Sequence, residues 1–501
     1  MREVRAIETV RAEQRSVLGS GRGALVLALL LLVQFLDFLD VSIVNVALPA
    51  IRHDLRFSQQ SLQWVVSGYV LAYGGLLLLG GRAADLVGRR RILVGGLALF
   101  ALASLAGGLA QAEGPLVAAR LAQGAGAAMM SPAALSVLTT TFTGRDRNLA
   151  LGAWAAVPGL AGASGVVLSG ILTEGPGWRW IFYLNVPVAT LAGLGALALL
   201  GGEPRGRRQS SFDLPGAVLV TSGMLLLIYG LVRAPEVGWA ATGTVTALAL
   251  GAALLAAFVA NERRASTPLV PFSIFRIKGL AAANLTQLIT FSGLYSMFFF
   301  LSLYMQSVLG YSPSRTGLAY LPLTAGFMIS AGIATPLVPR IGTRPVIVAG
   351  ALVAAGGLYF LSHVPVDGAF LRDLLPGIVI VALGAGGVFT GVTTAATDGV
   401  PAEHAGVASG LLNASMQFGG AFGLAVLSAV ATGRTSAVLG SGGGLPLALT
   451  DGFRRAFLIG ALFVLVAALV AFLATSDRSA SRASAARSRR PVPAAGEVSP
   501  E

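Results

Sequence analysis

The chain has 501 residues, 55% of them hydrophobic and only 11% charged, with a mean hydropathy of +0.78 and a formal net charge of +13. That apolar content far exceeds an ordinary soluble domain's and implies a polytopic membrane protein. The arginines are scattered between apolar runs and form no single basic face, which argues against a nucleic-acid partner, and the absence of cysteine excludes disulfides, thiol catalysis and cysteine metal sites.

In chain order, residues 1–23 carry Arg2, Arg5, Arg11, Arg15 and Arg22 and then enter an apolar run that continues to Leu48 without a signal-like cleavage site. We read a retained first span. Apolar segments follow the pattern six, two, six: 24–48, 62–81, 92–111, 116–141, 149–172 and 181–201; then 214–233 and 242–260; then 280–303, 317–338, 346–364, 373–395, 406–432 and 454–475. Each is long enough to cross ~30 Å of hydrocarbon as a helix rising ~1.5 Å per residue. The expected division is a cytoplasmic segment (1–23), a six-helix bundle (24–201), a linker with two further transmembrane helices (202–279), a second six-helix bundle (280–475) and a loose cytoplasmic tail (476–501). The glycine-rich outer loop 440–444 is also expected to be loose.

With Met1 inside, the inward segments collect 25 of the Lys and Arg residues and the outward ones 9, leaving Arg120 within a span. This is the bias of the positive-inside rule, and an even number of spans puts both termini in the cytoplasm. One inward segment, from Gly81 to Arg91, holds four arginines and Asp85 between two apolar runs, so it must lie at a membrane face as a tight reversal between antiparallel helices. Lys278 is the only lysine, which with the Ala and Gly usage hints at a GC-rich bacterial genome.

Ionisable side chains inside spans cost several kcal/mol to bury and mark function. Asp37 and Asp40 are three apart, on one face of the first helix. Asp40 lies about 16 residues in from Ala24, or ~24 Å, which leaves ~6 Å to the outer edge. Arg120 enters its helix from outside, about five residues past Pro115 and so ~7 Å from that edge. A carboxylate and a guanidinium at equal depth can pair, and protonating the carboxylate loosens the pair. Such an arrangement is the minimum apparatus of a proton-coupled carrier, with Asp40, Arg120 and Asp37 as the candidate proton-coupling residues. Its structural alternative is a lock between two helices, with Asp37 snorkelling into a wet vestibule.

The runs Leu39-Asp40-Val41-Ser42-Ile43-Val44-Asn45-Val46-Ala47-Leu48-Pro49 and Leu62-Gln63-Trp64-Val65-Val66-Ser67-Gly68-Tyr69 resemble the opening spans of the fourteen-span drug:proton antiporters of the major facilitator superfamily. The Gly81 to Arg91 run fits that superfamily's G-x-x-x-D-x-x-G-R-R loop, and Arg120 to Gly126 fits its R-x-x-Q-G-x-G signature. Trp178-Arg179-Trp180-Ile181-Phe182 with Asn185-Val186-Pro187, and Gly310-Tyr311-Ser312 with Gly317-Leu318-Ala319, are similar to later parts.

The resemblance implies an all-α major facilitator fold: two six-helix bundles about a pseudo-two-fold axis, two extra transmembrane helices, a central cavity and alternating access. It implies proton coupling at Asp40 and Arg120, and a cavity lined by Gln34, Asn45, Tyr69 and Gln123. It also implies a conformational latch of Gly81, Asp85, Gly88, Arg89 and Arg90, in which Gly81 allows close packing and Arg89 and Arg90 hold Asp85 against the start of the thirteenth span near Gly406. The fifth-span glycine motif is degenerate. Gly152, Gly165 and Gly170 match, Ala161, Val166 and Ser169 do not, and Pro158 is the candidate kink. The missing proline leaves the direction of transport open.

The expected function is proton-driven export of small hydrophobic, drug- or antibiotic-like molecules across a bacterial plasma (inner) membrane. The expected partners are substrate, protons and the lipid bilayer, the expected state is a monomer, and the energy source is the proton gradient with no cofactor. No phosphate loop, H-E-x-x-H or ligand-spaced set among His53, His363 and His404 points to ATP hydrolysis or metal chemistry, so no enzyme is expected. The alternatives are a carrier of the same build for a native metabolite, siderophore or peptide, and a non-transporting membrane ligand sensor, which would not need Asp40 and Arg120 to be ionisable. The second bundle holds no central charge, only Asn413, Met416 and Gln417 in the thirteenth span.

Overall fold

The computed structural model describes residues 18, 20–58, 61–201, 213–265, 268, 272–277, 279–398, 400 and 405–474. Among them every regular element is helical, as hydrocarbon demands: an apolar medium offers backbone groups no water, so each segment satisfies its own. The first bundle comprises α1 (Gly21–Leu55), α2 (Gln63–Val87), α3 (Arg89–Leu109), α4 (Glu113–Thr141), α5 (Gly144–Glu174) and α6 (Trp180–Leu199). Then come α7 (Leu214–Val237) and α8 (Thr242–Glu262). The second bundle comprises α9 (Leu280–Leu303), which runs on into a π turn at Tyr304–Val308, the short α10 (Pro313–Ala319), α11 (Leu321–Ile341), α12 (Thr343–Leu361), α13 (Leu375–Thr397), α14 (Ala405–Gly440) and α15 (Leu445–Ala474). Among the described residues thirteen helical segments are long and apolar enough to span a membrane, and the 25-residue α2 packs among them against α4, α7 and α14.

Local chemistry sets the ends. The Ser20 hydroxyl caps α1 by accepting from the Gly23 amide at 3.0 Å, and the Asp213 carboxylate caps α7 by accepting from the Gly216 amide at 2.9 Å. At its other end α1 outruns its apolar stretch, passing Pro49 and continuing through Arg52, His53 and Asp54 to Leu55. It ends at Arg56, which turns left-handed at φ 59° and ψ 34° and returns its amide to the Arg52 carbonyl, later than where hydropathy falls. The tenth span begins with α10, earlier than its apolar run, and breaks at Tyr320. The expected loose loop at 440–444 is short, because α14 reaches Gly440 and α15 starts at Leu445.

The reversal between α2 and α3 is a single residue, Gly88, at φ 109° and ψ 129°. Its counterpart between α11 and α12 is Gly342, at φ 93° and ψ 166°. Positive φ of this kind is open to glycine and strained for any residue with a Cβ.

The same pairings recur in the two bundles. In the first, α1 packs on α5 and α6, α2 on α4, and α3 on α4 and α6. In the second, α9 packs on α14 and α15, α11 on α13, and α12 on α13 and α15. Helix for helix this is one repeat used twice. Close approach comes from glycine: a Cβ at Gly419 would overlap the Leu288 carbonyl and one at Gly423 the Ser292 carbonyl, so α9 and α14 touch along their backbones.

The bundles meet through α2 and α14, α5 with α10 and α11, and α1 with α9. The extra pair docks by α7, which touches both α2 and α14, while α8 packs on α7.

Candidate functional site

Five helices of the first bundle converge on one buried ion pair. Arg120 of α4 sends Nη1 to Asp40 Oδ2 of α1 at 2.5 Å, with both side chains at most 2% exposed. The same Nη1 donates to Gln123 Oε1 at 2.9 Å, and Nε donates to the Val65 carbonyl of α2 at 2.8 Å. Asp40 Oδ1 accepts from Asn185 Nδ2 of α6 at 2.7 Å and from Gln123 Nε2 at 3.1 Å. Gln123 Nε2 also donates to Ser104 Oγ of α3 at 2.7 Å. Thus both carboxylate oxygens are satisfied. An ion pair taken out of water needs this, because Coulomb attraction alone seldom offsets desolvation.

One turn earlier on α1, Asp37 is 1% exposed and has no ion-pair partner among the described residues. Its Oδ1 accepts from Tyr69 Oη at 2.5 Å and its Oδ2 from Tyr73 Oη at 2.7 Å. Tyr69 serves both groups, since the Arg120 guanidinium carbon lies 4.5 Å from the centroid of its ring. The cluster as a whole sets two carboxylates against one guanidinium.

Tyr69 and Gln123, expected to line a cavity, are therefore tied into this polar cluster. Asn45 Nδ2 donates to the Val41 carbonyl of its own helix at 2.8 Å, and Gln34 Oε1 is buried without a partner among the described residues. Ser104, Tyr73 and Asn185 join the cluster although the sequence does not single them out as site residues. Tyr73 could have been found: it lies one helical turn from Tyr69, and hence on the same face.

At the charged reversal, Gly81 faces Pro132 of α4, and Arg90 Nη2 donates to the Leu197 carbonyl at 2.6 Å. Arg22 Nη2 donates to the Leu199 carbonyl at 3.1 Å, so two guanidiniums cap the C-terminal carbonyls of α6. Arg89 is held by further contacts, whereas the side chain of Asp85 and the residues just before α14 lie outside the described residues, as do Gly152 of the glycine motif, the segment 1–17 and the tail from 475.

The rest of the fifth-span motif sits on seams. Gly165 abuts Ser42 and Ile43 of α1, and a Cβ on Gly170 would come within 2.6 Å of Ser314 Cα in the opposite bundle. Ser169, one of the departures from the motif, donates its hydroxyl to the Ile43 carbonyl. Nearby, Gln306 Nε2 donates to the Val46 carbonyl at 2.8 Å, and the Ser314 amide donates to Glu174 at 3.2 Å. All these cross-bundle contacts cluster towards the C-terminal ends of α1 and α5. At that end Arg179 and Trp178 both donate to Asp54, at 2.5 and 3.0 Å, fastening α1 to the start of α6.

The buried polar residues described in the second bundle are uncharged. Gln287 Oε1 and Thr290 Oγ1 of α9 and Gln417 Nε2 of α14 are buried without partners among the described residues.

The family model for the Major Facilitator Superfamily matches residues 30–424. The chain is 42% identical over 440 residues to the cephamycin export protein CmcT of Amycolatopsis lactamdurans, covering 87% of this chain and 89% of that protein. It is 40% identical over 465 residues to the puromycin resistance protein pur8 of Streptomyces alboniger, covering 90% and 91%. Among solved structures, a bacterial homolog of the human lysosomal transporter Spinster, in an inward-facing conformation, superposes with a TM-score of 0.65 at 18% identity, covering 92% of this chain and 98% of that one. The POT family transporter PepTSo gives 0.64 at 14% identity, covering 93% and 99%. These two share the fold.

Proposed function

This chain belongs to the major facilitator superfamily, and from that premise we propose that it is a proton-coupled exporter of hydrophobic, antibiotic-like small molecules, working by alternating access with fourteen spans, α2 among them. Both termini face the cytoplasm in this reading, which rests on the 25 against 9 distribution of basic residues. Export, as against import, is supported by the relatives that are named for export or resistance.

The observation that carries proton coupling is the charge imbalance of the buried cluster, Asp37 and Asp40 against Arg120. An unpaired charge in a membrane interior is costly, and one proton removes it. Protonating Asp40 ends the attraction that ties α1 to α4, while Arg120 keeps the Val65 carbonyl, Gln123 and the face of Tyr69. Because the Tyr69 hydroxyl rests on Asp37, a shift of Arg120 reaches the second carboxylate without a new contact.

The test is purified protein in proteoliposomes with an imposed pH gradient and fluorescent or radiolabelled hydrophobic antibiotics. Wild type should move substrate against its gradient, and Asp40→Asn should bind substrate yet lose gradient-driven transport. Gradient-driven transport by Asp40→Asn and Arg120→Ala at the wild-type rate would overturn the proposal.

A further inference from the structure

In the second bundle, the C-terminal ends of α12 and α14 and the start of α15 border an open pocket of about 320 Å³. Tyr359, Ser362, His363, Arg434, Arg454 and Arg455 line it with Asp451 and Leu458. Three guanidiniums thus face one carboxylate. Part of this charge has a structural use. Arg434 holds Asp451 Oδ2 through Nε at 3.1 Å and Nη2 at 2.7 Å, and Arg454 gives Nε to the Val364 carbonyl at 2.7 Å and reaches Asp451 Oδ1 at 3.4 Å. Those bonds staple α14, α15 and the segment after α12.

Arg455 has no such use. It is exposed into the pocket and makes no hydrogen bond or ion pair among the described residues. Nor does topology call for it. In the proposed orientation this rim faces outward, where Lys and Arg are sparse, yet three of the 9 outward basic residues gather here.

We propose that this pocket binds a phosphate-bearing anion. Guanidinium forks match phosphate oxygens in geometry and charge, and the surplus cation leaves the pocket electropositive once Asp451 is paired. The depth suits a phospholipid headgroup. Helix ends lie at the membrane interface, the exposed Tyr359 ring stacks edge-on with His363 at 4.8 Å as an interfacial aromatic would, and Leu458 supplies an apolar contact for glycerol or acyl carbons. Free inorganic phosphate shares the recognised chemistry, so the experiment separates the two sources.

The purified full-length protein is titrated in mixed micelles with dioleoyl-phosphatidylglycerol, with dioleoyl-phosphatidylcholine, and with inorganic phosphate alone, following the thermal midpoint. We expect phosphatidylglycerol to raise the midpoint where phosphatidylcholine does not. Arg455→Gln should raise the half-maximal lipid concentration about fivefold, the value of one basic contact at a membrane surface, and Arg455→Lys should largely preserve it. Stabilisation by inorganic phosphate that is weakened by Arg455→Gln would support the anion site and assign it to free phosphate. No anion effect in wild type, or an effect indifferent to Arg455→Gln, overturns the proposal. Arg455 is exposed and outside the staple, so its variants should fold. The Asp40 variants leave this result untouched, and its failure would not bear on proton coupling.

Discussion

The two bundles are built alike and furnished differently. Helix for helix the same pairings recur, down to one positive-φ glycine between α2 and α3 and another between α11 and α12. Yet Asp37, Asp40 and Arg120 all lie in the first bundle, while the buried polar residues described in the second, such as Gln287, Thr290 and Gln417, are uncharged. Fold and chemistry are thus separable. Close helix packing needs glycines and apolar faces, which both halves have, whereas a proton needs an ionisable acceptor, which only one half offers among its described buried residues. In the proposed reading the labour is divided asymmetrically, with coupling in the first half and uncharged surface open to a hydrophobic substrate in the second.

The sharpest way to break this contrast is Arg120→Ala. It leaves two carboxylates buried without a cation, and stripping one partner from such a pair costs about 3–5 kcal/mol; a fall in thermal midpoint together with lost transport is expected. Replacing both partners, Asp40→Leu with Arg120→Leu, should recover most of the stability without transport, since apolar substitutes for a buried pair are often neutral or stabilising. Recovery of transport in the double variant would show that the pair is only a lock.

A smaller effect probes what the halves have in common. Gly88→Ala and Gly342→Ala should each cost about 1–3 kcal/mol through backbone strain, and by similar amounts, measured as paired shifts in thermal unfolding. A large cost in one alone would mean that the reversals are not equivalent. Smallest of all, Thr290→Val removes a buried hydroxyl that has no partner among the described residues, so stability should stay level or rise by up to about 1 kcal/mol. A selective change in transport rate for some substrates and not others would then sharpen the second half's role as the substrate surface.

Much of the frame was legible before the structure. Hydropathy located the spans, and matched depths set Asp40 beside Arg120, which stand 2.5 Å apart. What hydropathy does not encode is the rotation of each helix about its axis. Ser104 and Asn185 are single uncharged residues in apolar runs, and only the packing of α3 and α6 turns them towards Asp40 and Gln123. Nor does it encode caps, and so α1 outran its apolar stretch to Leu55. The sorting of expected cavity residues failed to separate for the same reason. Tyr69 and Gln123 face inward like Gln34, but of the three Gln34 alone keeps an oxygen unpartnered among the described residues.

The docking of α7 has a consequence for traffic between lipid and protein. This helix is pinned to α2 by Gln63 Nε2, which donates to the Val232 carbonyl at 2.9 Å, and Ile228 fills the space beside Gly74 and Gln417 where α2 meets α14. It therefore covers one lateral seam between the bundles, whereas among the described residues no additional helix covers the opposite flank, where α5 meets α11. A molecule dissolved in the bilayer meets a shuttered side and an unshuttered side, so the direction from which it approaches within the plane of the membrane matters as much as the leaflet it starts from.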